Sequence, residues 1–369
     1  MTGPRVVIAG MGDTGTLTGI HLARHVDVTG FSPTPGLISG QELGMRLTSP
    51  ELWAREYAVP YGRYRGLDGV RIVHGRIVDL DPEKRLLAVS GTAGEITDEA
   101  YDVLVIASGV TNGFWRTTDL RDQEQVRGDL ADHHRRIAHA SSVIVVGGGA
   151  SAVSAAANIA ARFSDIRVDL YYPGKAPLRQ HHPRTWRTLR PRLEAAGVAL
   201  HSGHRAILDD ARTSELDAGT VTWSTGQPPS RADVIIWAIG RATPNTDWVP
   251  DELLDGDGFV RVTATLQSPS YPNIFAVGDV AATDPLRSSA RNRADRLLAH
   301  NVRAHLTGGL LREYRPPGRR WGSVLGPQSD GLQVFAPNGR AFRFPSWSVE
   351  KVVWPVFVRR GIYRGIRRA

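Results

Sequence analysis

Two glycine-spaced stretches carry the chemistry that this sequence can perform. Gly10, Gly12 and Gly15 in RVVIAGMGDTG stand at G-x-G-x-x-G spacing, and Gly147, Gly149 and Ala152 repeat the pattern in SVIVVGGGASA. In such a turn the first glycine permits a tight bend and the second lets backbone approach a pyrophosphate. The third position lets helix pack on strand, and the helix N-terminus faces the phosphate charge. One copy is a weak signal, because glycines also mark ordinary turns; two copies point to two dinucleotide cradles on one chain. Three more apolar runs end at polar or flexible residues: DVLVIASG at Ser108-Gly109, IIWAIG at Gly240 and IFAVGD at Gly278-Asp279.

The composition narrows what these cradles serve. The chain has 369 residues, enough for two or three domains, and no cysteine. The missing cysteine excludes a redox-active disulfide, a thiolate nucleophile and a cysteine-bound iron–sulfur cluster. No Ser-His-Asp pattern is evident, no catalytic acid or base can be named, and no metal site is expected. The net charge of +8 is nearly all arginine, since Lys84, Lys175 and Lys351 are the only lysines. Two readings stand side by side: a bias toward arginine codons, or attraction to an anionic cofactor, membrane or nucleic acid. No nucleic-acid motif supports the last. Met1 is followed almost at once by the first strand and no apolar run is long enough to cross a bilayer, so the expected location is cytoplasmic.

Stepping along the chain, Val6–Ala9 reads as a strand, Thr16–His25 as a helix and Val26–Phe31 as the next strand, ending at Ser32-Pro33. An acid usually stands there to hold ribose hydroxyls; Ser32 is a weaker substitute. Ser39 with Glu42 fits a capping box, which makes Glu42 structural rather than catalytic. Trp53, Tyr57, Tyr61 and Tyr64 read as core or groove lining. Val70–Val73, Arg76–Leu80 and Leu86–Val89 alternate like a meander, and Asp102–Gly109 reads as a buried parallel strand. Asp119–Ala140 is a polar helix with His133, His134 and His139 expected in solvent. After the second cradle, the strand Arg167–Tyr172 ends at Pro173-Gly174. Tyr172 stands where an acid would select NAD, and Lys175, Arg179, His181 and His182 follow, which leans toward the 2′-phosphate of NADP. Further strands are read at Val198–His201, Val221–Ser224, Val234–Ala238 and Ile274–Asp279, with helices over Arg184–Gly197 and Ser288–Leu306. In the tail a hairpin is read around Pro337-Asn338-Gly339, then an amphipathic helix over Ser346–Arg368. On that helix Trp354, Val358, Ile362 and Ile366 share one face, and Arg360, Arg364 and Arg367 lie opposite.

These motifs fall in a familiar order. To about Leu306 the chain resembles the two-dinucleotide-domain flavoproteins of the pyridine nucleotide–disulfide oxidoreductase superfamily. Within it, the chain is most similar to the group of type II NADH dehydrogenase, apoptosis-inducing factor and ferroptosis suppressor, which works without a disulfide. The resemblance implies an α/β fold of two Rossmann-like domains in the glutathione-reductase-like arrangement, one inserted in the other. Residues 1–111 and 244–309 would hold FAD, 112–243 would hold NADH or NADPH, and 310–369 would form a small C-terminal α+β tail of hairpin and amphipathic helix. For FAD it implies Gly10, Gly12, Gly15, Ser32, Val78 (or Ile77) through backbone at the adenine, Ser108, Gly109, Gly278 and Asp279 at the ribityl chain. It adds Ser289, Ala290 and Arg291 at the flavin pyrimidine edge. For NAD(P) it implies Gly147, Gly149, Ala152, Tyr172 and Gly240. The family's glutamate is replaced by Ser154.

The function implied is a FAD-dependent NAD(P)H oxidoreductase, with hydride passing from nicotinamide C4 to flavin N5 and electrons then to a second acceptor, a quinone among the candidates. Two other classes stay open. One is a soluble flavin reductase or oxygen-using flavoenzyme acting on a small metabolite or redox protein. The other is a non-catalytic FAD-binding interaction or sensor module. The partner is therefore a small-molecule electron acceptor, with peripheral contact to the inner face of a membrane through 346–369 as the sharper reading of the tail. The plainer reading is a helix that covers the hairpin with its arginines in solvent. The sequence does not identify the oligomeric state.

Overall fold

Runs of four or five apolar residues rich in valine and isoleucine are too short for buried helices and form strands instead. The computed structural model describes residues 3–208, 210–283, 286 and 294–367. In chain order the strands of the two main sheets are β1 (Arg5–Ala9), β2 (Asp27–Ser32), β3 (Val70–Asp81), β4 (Leu86–Gly91), β5 (Ile96–Ala100), β6 (Val103–Ile106), β7 (Ser142–Val146), β8 (Arg167–Tyr172), β9 (Val198–Ser202), β10 (Asp217–Val221), β11 (Ser230–Trp237) and β12 (Ile274–Ala276). The first sheet has the order β12-β6-β1-β2-β3-β4-β5, and its first five strands run parallel. The second has the order β9-β8-β7-β11-β10, with only β10 antiparallel. Both sheets are therefore mixed α/β layers of Rossmann type. In each, the first strand lies between its successor and a later strand, which opens a crevice at its C-terminal end. The chain leaves the first sheet and returns to it through an antiparallel pair, Val110–Thr111 with Thr243–Pro244.

Helices cover the sheets. They are α1 (Asp13–Leu22), α2 (Leu43–Thr48), α3 (Pro50–Tyr57), α4 (Gln123–Ala138), α5 (Ala150–Arg162), α6 (Pro183–Ala195) and α7 (Ala294–Thr307). Ile20 of α1, Leu298 and Val302 of α7, and Val6 and Ile8 of β1 are all fully buried in one cluster. Val143, Val145, Val153 and Ile159 do the same for the second sheet. Trp53, Tyr57, Tyr61 and Tyr64 are buried, as the core reading expects.

Four expectations are corrected. The two strands expected at Val70–Val73 and Arg76–Leu80 are one strand, β3, whose register shifts between Ile77 and Asp79, so Val78 sits on a bulge. The strand expected at Val221–Ser224 lies at Asp217–Val221, because its register on β11 pairs Val221 with Ser230; Trp223 bridges Ala206 instead. The capping box at Ser39 and Glu42 does not form. No side chain caps α2, Glu42 is left-handed at φ 56°, and the Ser39 hydroxyl donates to Asp13 Oδ2 at 3.0 Å. Of the three histidines on α4, only His139 is exposed. His134 bonds the Leu47 carbonyl at 2.8 Å, and His133 packs edge-on to Phe114 with a buried, unpartnered Nδ1.

The tail also differs. The expected hairpin is present, in a three-stranded sheet of β13 (Pro327–Gln328), β14 (Gly331–Phe335) and β15 (Ala341–Phe344). It leans on the second sheet's helices: Asn158 donates to the Leu325 carbonyl at 3.0 Å, and Arg192 pairs with Asp330 at 3.0 Å. The α-helix expected over Ser346–Arg368 is replaced by one turn, Ser346–Ser348, and a π-helix, Val349–Ile362. Pro355 lies inside that helix and has no N–H to contribute to its ladder. The buried residues Val358 and Tyr363 insert into the first sheet's core, where Tyr64 meets Tyr363 ring to ring at 5.1 Å. The arginines are not all left in solvent. Arg359 pairs with Glu56 at 2.9 Å, Arg367 with Asp68 at 2.7 Å, and Arg364 donates to the Ile20 carbonyl at 3.2 Å.

The two halves approach closely at Gly44 of α2. A Cβ there would lie 2.3 Å from the Ser154 carbonyl oxygen and 2.5 Å from Asn158 Nδ2, both on α5. Overpacking of this kind costs about 1–3 kcal/mol. Gly44→Ala is expected to lower the thermal midpoint by several degrees while Gly62→Ala, where a Cβ meets nothing within 4 Å, shifts it little; differential scanning fluorimetry of the pair checks this.

Candidate functional site

The first cradle is built by missing side chains. Gly10 follows β1 at φ 104°, and a Cβ on it would sit 2.6 Å from the Ala107 carbonyl oxygen. A Cβ on Gly15 would sit 2.0 Å from the Gly10 carbonyl oxygen. Gly12 is different. It is the residue before α1, with no side chain capping the helix, and a Cβ there would meet nothing within 4 Å. The uncapped helix end thus faces open space, where its amides and positive dipole suit a pyrophosphate.

A cavity opens from this point. Gly10, Gly12, Asp13, Thr14, Ser32, Ser108, Gly109, Gly278 and Asp279 line it. Gly15 stays out of the lining and serves the packing of helix on turn. Ser32 is buried in a polar knot: its hydroxyl accepts from Thr34 N at 3.2 Å and lies 2.9 Å from the Tyr61 hydroxyl, which is also 2.8 Å from the Met11 carbonyl oxygen. Burial pushes the Tyr61 hydroxyl well above the usual phenol range. Ser108 donates to the Asn245 carbonyl at 2.8 Å, which ties the cavity floor to the returning chain. Val78, on its bulge, is 38% exposed and lies outside the lining. Ser289, Ala290 and Arg291 lie outside the described residues.

The second cradle repeats the first. A Cβ on Gly147, at φ 148°, would lie 2.0 Å from the Ala238 carbonyl oxygen. Gly149 precedes α5 without a side-chain cap and, like Gly240, leaves open space at its Cβ position. Ala152 is fully buried against the turn. Tyr172 ends β8 packed inward, 5% exposed and edge-on to Trp186, while Lys175 and Arg179 beyond it are exposed. None of these five expected residues lines the cavity itself, yet Ala150, Ser151 and Ser154 from the first turns of α5 do. One cavity therefore touches the N-terminal ends of both α1 and α5. Both cradles have the form a dinucleotide requires.

Several lining residues escape sequence reasoning because their partners are far along the chain. Arg116 reaches across to Asp279, Nη1 to Oδ2 at 3.0 Å. Behind it Arg46, 3% exposed, donates to the Trp115 carbonyl at 3.1 Å and lies over the Trp53 ring at 4.9 Å. Burial, then Arg121, lowers the Arg46 guanidinium to about 10. Arg121 pairs with Asp129. Burial, then Arg46, pushes His133 down to about 4. Glu42 lines the cavity, and its Oε2 would lie 2.2 Å from a Cβ on Gly326 of the tail. At the α5 end the wall is His181 with Arg320, Trp321, Ser323 and Val324. Among the described residues no group of three or more His, Cys, Asp or Glu could hold a metal ion, and no helix is long and apolar enough to cross a membrane.

Comparison with known proteins gives this arrangement a context. The profile of the family described as pyridine nucleotide-disulphide oxidoreductase matches residues 4–305. The oxidoreductase ptaL of Pestalotiopsis fici is 26% identical over 331 residues, covering 88% of this chain and 83% of that protein. The type II NADH:quinone oxidoreductase Ndh of Mycobacterium tuberculosis is 29% identical over 109 residues, covering 29% of this chain and 21% of that protein. Among solved structures, the ferredoxin reductase for the CYP199A2 system of Rhodopseudomonas palustris superposes with a TM-score of 0.64 at 21% identity, covering 86% of this chain and 79% of that one.

The two kinds of glycine in the cradle predict different failures. Gly15→Ala forces backbone apart and is expected to lower the denaturation midpoint. Gly12→Ala is expected to keep that midpoint and weaken FAD binding, because its methyl group occupies the space a phosphate would enter. Urea melts and FAD titration by fluorescence quenching on both variants check the split.

Proposed function

Because this chain belongs to the pyridine nucleotide-disulphide oxidoreductase family, we propose that it is a FAD-dependent NAD(P)H oxidoreductase that hands electrons to a separate acceptor without any protein thiol. FAD and a nicotinamide nucleotide are its cofactors; when bound they supply two-electron hydride chemistry between nicotinamide C4 and flavin N5. The observation that carries the reading is the single cavity lined by Gly10–Thr14 at the head of α1 and by Ala150, Ser151 and Ser154 at the head of α5.

The residues divide the work. We take 1–111 with 244–309 as the FAD unit, 112–243 as the nucleotide unit and 310–369 as the tail. The α1 N-terminus and Gly12 receive the pyrophosphate. Asp13, in the first turn of α1, adds an unfavourable negative charge there, and Arg116 on the opposite wall offsets it. Asp279 presents its carboxylate to ribityl hydroxyls, with Oδ2 also accepting from Arg116. At the second cradle Tyr172 has no carboxylate for a ribose 2′-hydroxyl, while exposed Lys175 and Arg179 suit a 2′-phosphate, so NADPH is the favoured donor. The acceptor reading we favour is a quinone; a redox protein is the rival, since the similar proteins include both a quinone reductase and a ferredoxin reductase.

A second reading concerns the tail. Phe342, Phe344, Trp347, Val356 and Phe357 are between 40 and 62% exposed, and Arg343, Lys351 and Arg360 stand near them in sequence. Apolar rings beside cations suit an anionic membrane surface. Removing residues 346–369 would strip Val358 and Tyr363 from the core, so exposed positions make the better test. Trp347→Ser with Phe357→Ser is expected to abolish salt-sensitive flotation on vesicles containing phosphatidylglycerol without lowering stability. Flotation that survives the double variant discards this reading.

Anaerobic titration of the yellow protein is expected to bleach the flavin with NADPH at lower concentration than with NADH. Turnover should then follow with menadione in preference to ferredoxin or oxygen. If neither nucleotide bleaches the flavin, a FAD-binding module without catalysis takes the place of the enzyme. Arg116→Ala is expected to weaken FAD binding by about 10- to 100-fold, the worth of one hydrogen bond to a charged group.

A further inference from the structure

His181 follows the second cradle's strand but lies outside its glycine turn, and the fold fixes it between that turn and the tail. Its N–H donates to the Leu178 carbonyl at 2.8 Å, and Leu178 N–H in turn donates to the Gly148 carbonyl at 2.7 Å. On the other side Arg320 N–H donates to the Gln180 carbonyl at 3.0 Å. These bonds hold His181 in the wall of the cavity that Ser151 and Ser154 of α5 and Trp321 and Ser323 of the tail also line. The residue is 7% exposed, and its Nδ1 is buried without a partner. No described residue hydrogen-bonds to either ring nitrogen, so the ring is set by backbone and its polar atoms are left uncommitted. Burial, then Arg320, lowers its basicity to about 4, which keeps the ring neutral at physiological pH with one N–H donor and one acceptor.

A neutral donor suits an uncharged oxygen better than a phosphate, and Trp321 of the same lining offers a flat apolar surface. We propose that His181 binds the carbonyl oxygen of a planar ring that enters the α5 end of the cavity and so sets that ring's position. Two such rings pass through an enzyme of the proposed kind: the nicotinamide with its carboxamide and a quinone with its ring carbonyls. The inference rests on the oxidoreductase reading above, but its test does not stand or fall with it.

Three proteins are compared, wild type, His181→Leu and His181→Gln, the last keeping an N–H donor. Equilibrium binding of NADP⁺ to the FAD-loaded protein is followed by tryptophan fluorescence. Separately, enzyme reduced with dithionite is mixed with menadione or with ferricyanide, which takes electrons without a carbonyl contact. His181→Leu is expected to lose about tenfold in one arm, the worth of one neutral hydrogen bond, to keep ferricyanide reduction, and to be rescued by His181→Gln. Loss of NADP⁺ affinity identifies the carboxamide as the bound group; loss of menadione reduction identifies the quinone. Both arms within twofold of wild type would overturn the proposal. So would equal losses with ferricyanide, or no rescue by glutamine, since either marks a packing role. If His181→Leu does not hold FAD, the glutamine variant decides alone: wild-type binding and menadione rates support the proposal, and equal damage in all three arms removes it. A wild-type protein that no nucleotide reduces sinks the donor assignment, while the dithionite and menadione arm still reads His181.

Discussion

Everything in this molecule depends on backbone meeting backbone where side chains are absent. At Gly10 and Gly15 a Cβ would fall within 2.6 Å of a carbonyl oxygen, and Gly147 repeats the condition on Ala238. These approaches bring the first turn of each helix down onto its strand and aim the helix amides at the crevice between neighbouring parallel strands. The glycines at 12 and 149 then leave that crevice open. Without the tight pair the helix stands off; without the open one the space is filled. The same economy recurs at Gly44, where the two halves of the protein touch.

Charge is handled less simply. The cavity wall carries Asp13, Glu42 and Asp279 against Arg116, Arg121 and Arg320, and behind it Arg46 is buried beneath Trp115. Arg121 is engaged by Asp129 and Arg116 by Asp279. A pyrophosphate entering this space would add negative charge beside Asp13, and the arginines of the wall would offset it. Histidines are treated in the opposite way. His133 and His181 are held neutral by burial and by nearby guanidinium groups, which makes them donors and acceptors without charge.

The strands and the two glycine turns were plain in the sequence because they are local: Arg167–Tyr172 lies where its pattern places it, and Gly10, Gly12 and Asp279 line one cavity. What sequence could not show is long-range. Nothing in the neighbourhood of Arg116 announces a cavity, because its partner lies at Asp279; Tyr61 was read as core or groove lining and His181 as a neighbour of the nucleotide site, but their contacts with Met11 and Ser32 and with the tail were not legible. Ser39 and Glu42 had the spacing of a cap, but the hydroxyl found a better acceptor in Asp13. The amphipathic period of 346–368 promised an α-helix; the chain winds as a π-helix over Val349–Ile362, with Pro355 inside it and Val358 in the cluster that holds Ile20, Tyr64 and Leu67.

The tail has a mechanical consequence. Its hairpin is fastened to α5 and α6 through Asn158 and Arg192, and its final residues are fastened to the first sheet's side through Glu56 and Asp68. Besides the contact of α2 with α5 at Gly44, the two sheets are thus joined by the strand pair at 110–111 and 243–244 and by this strap. A body hinged at one edge and laced at the other cannot swing wide.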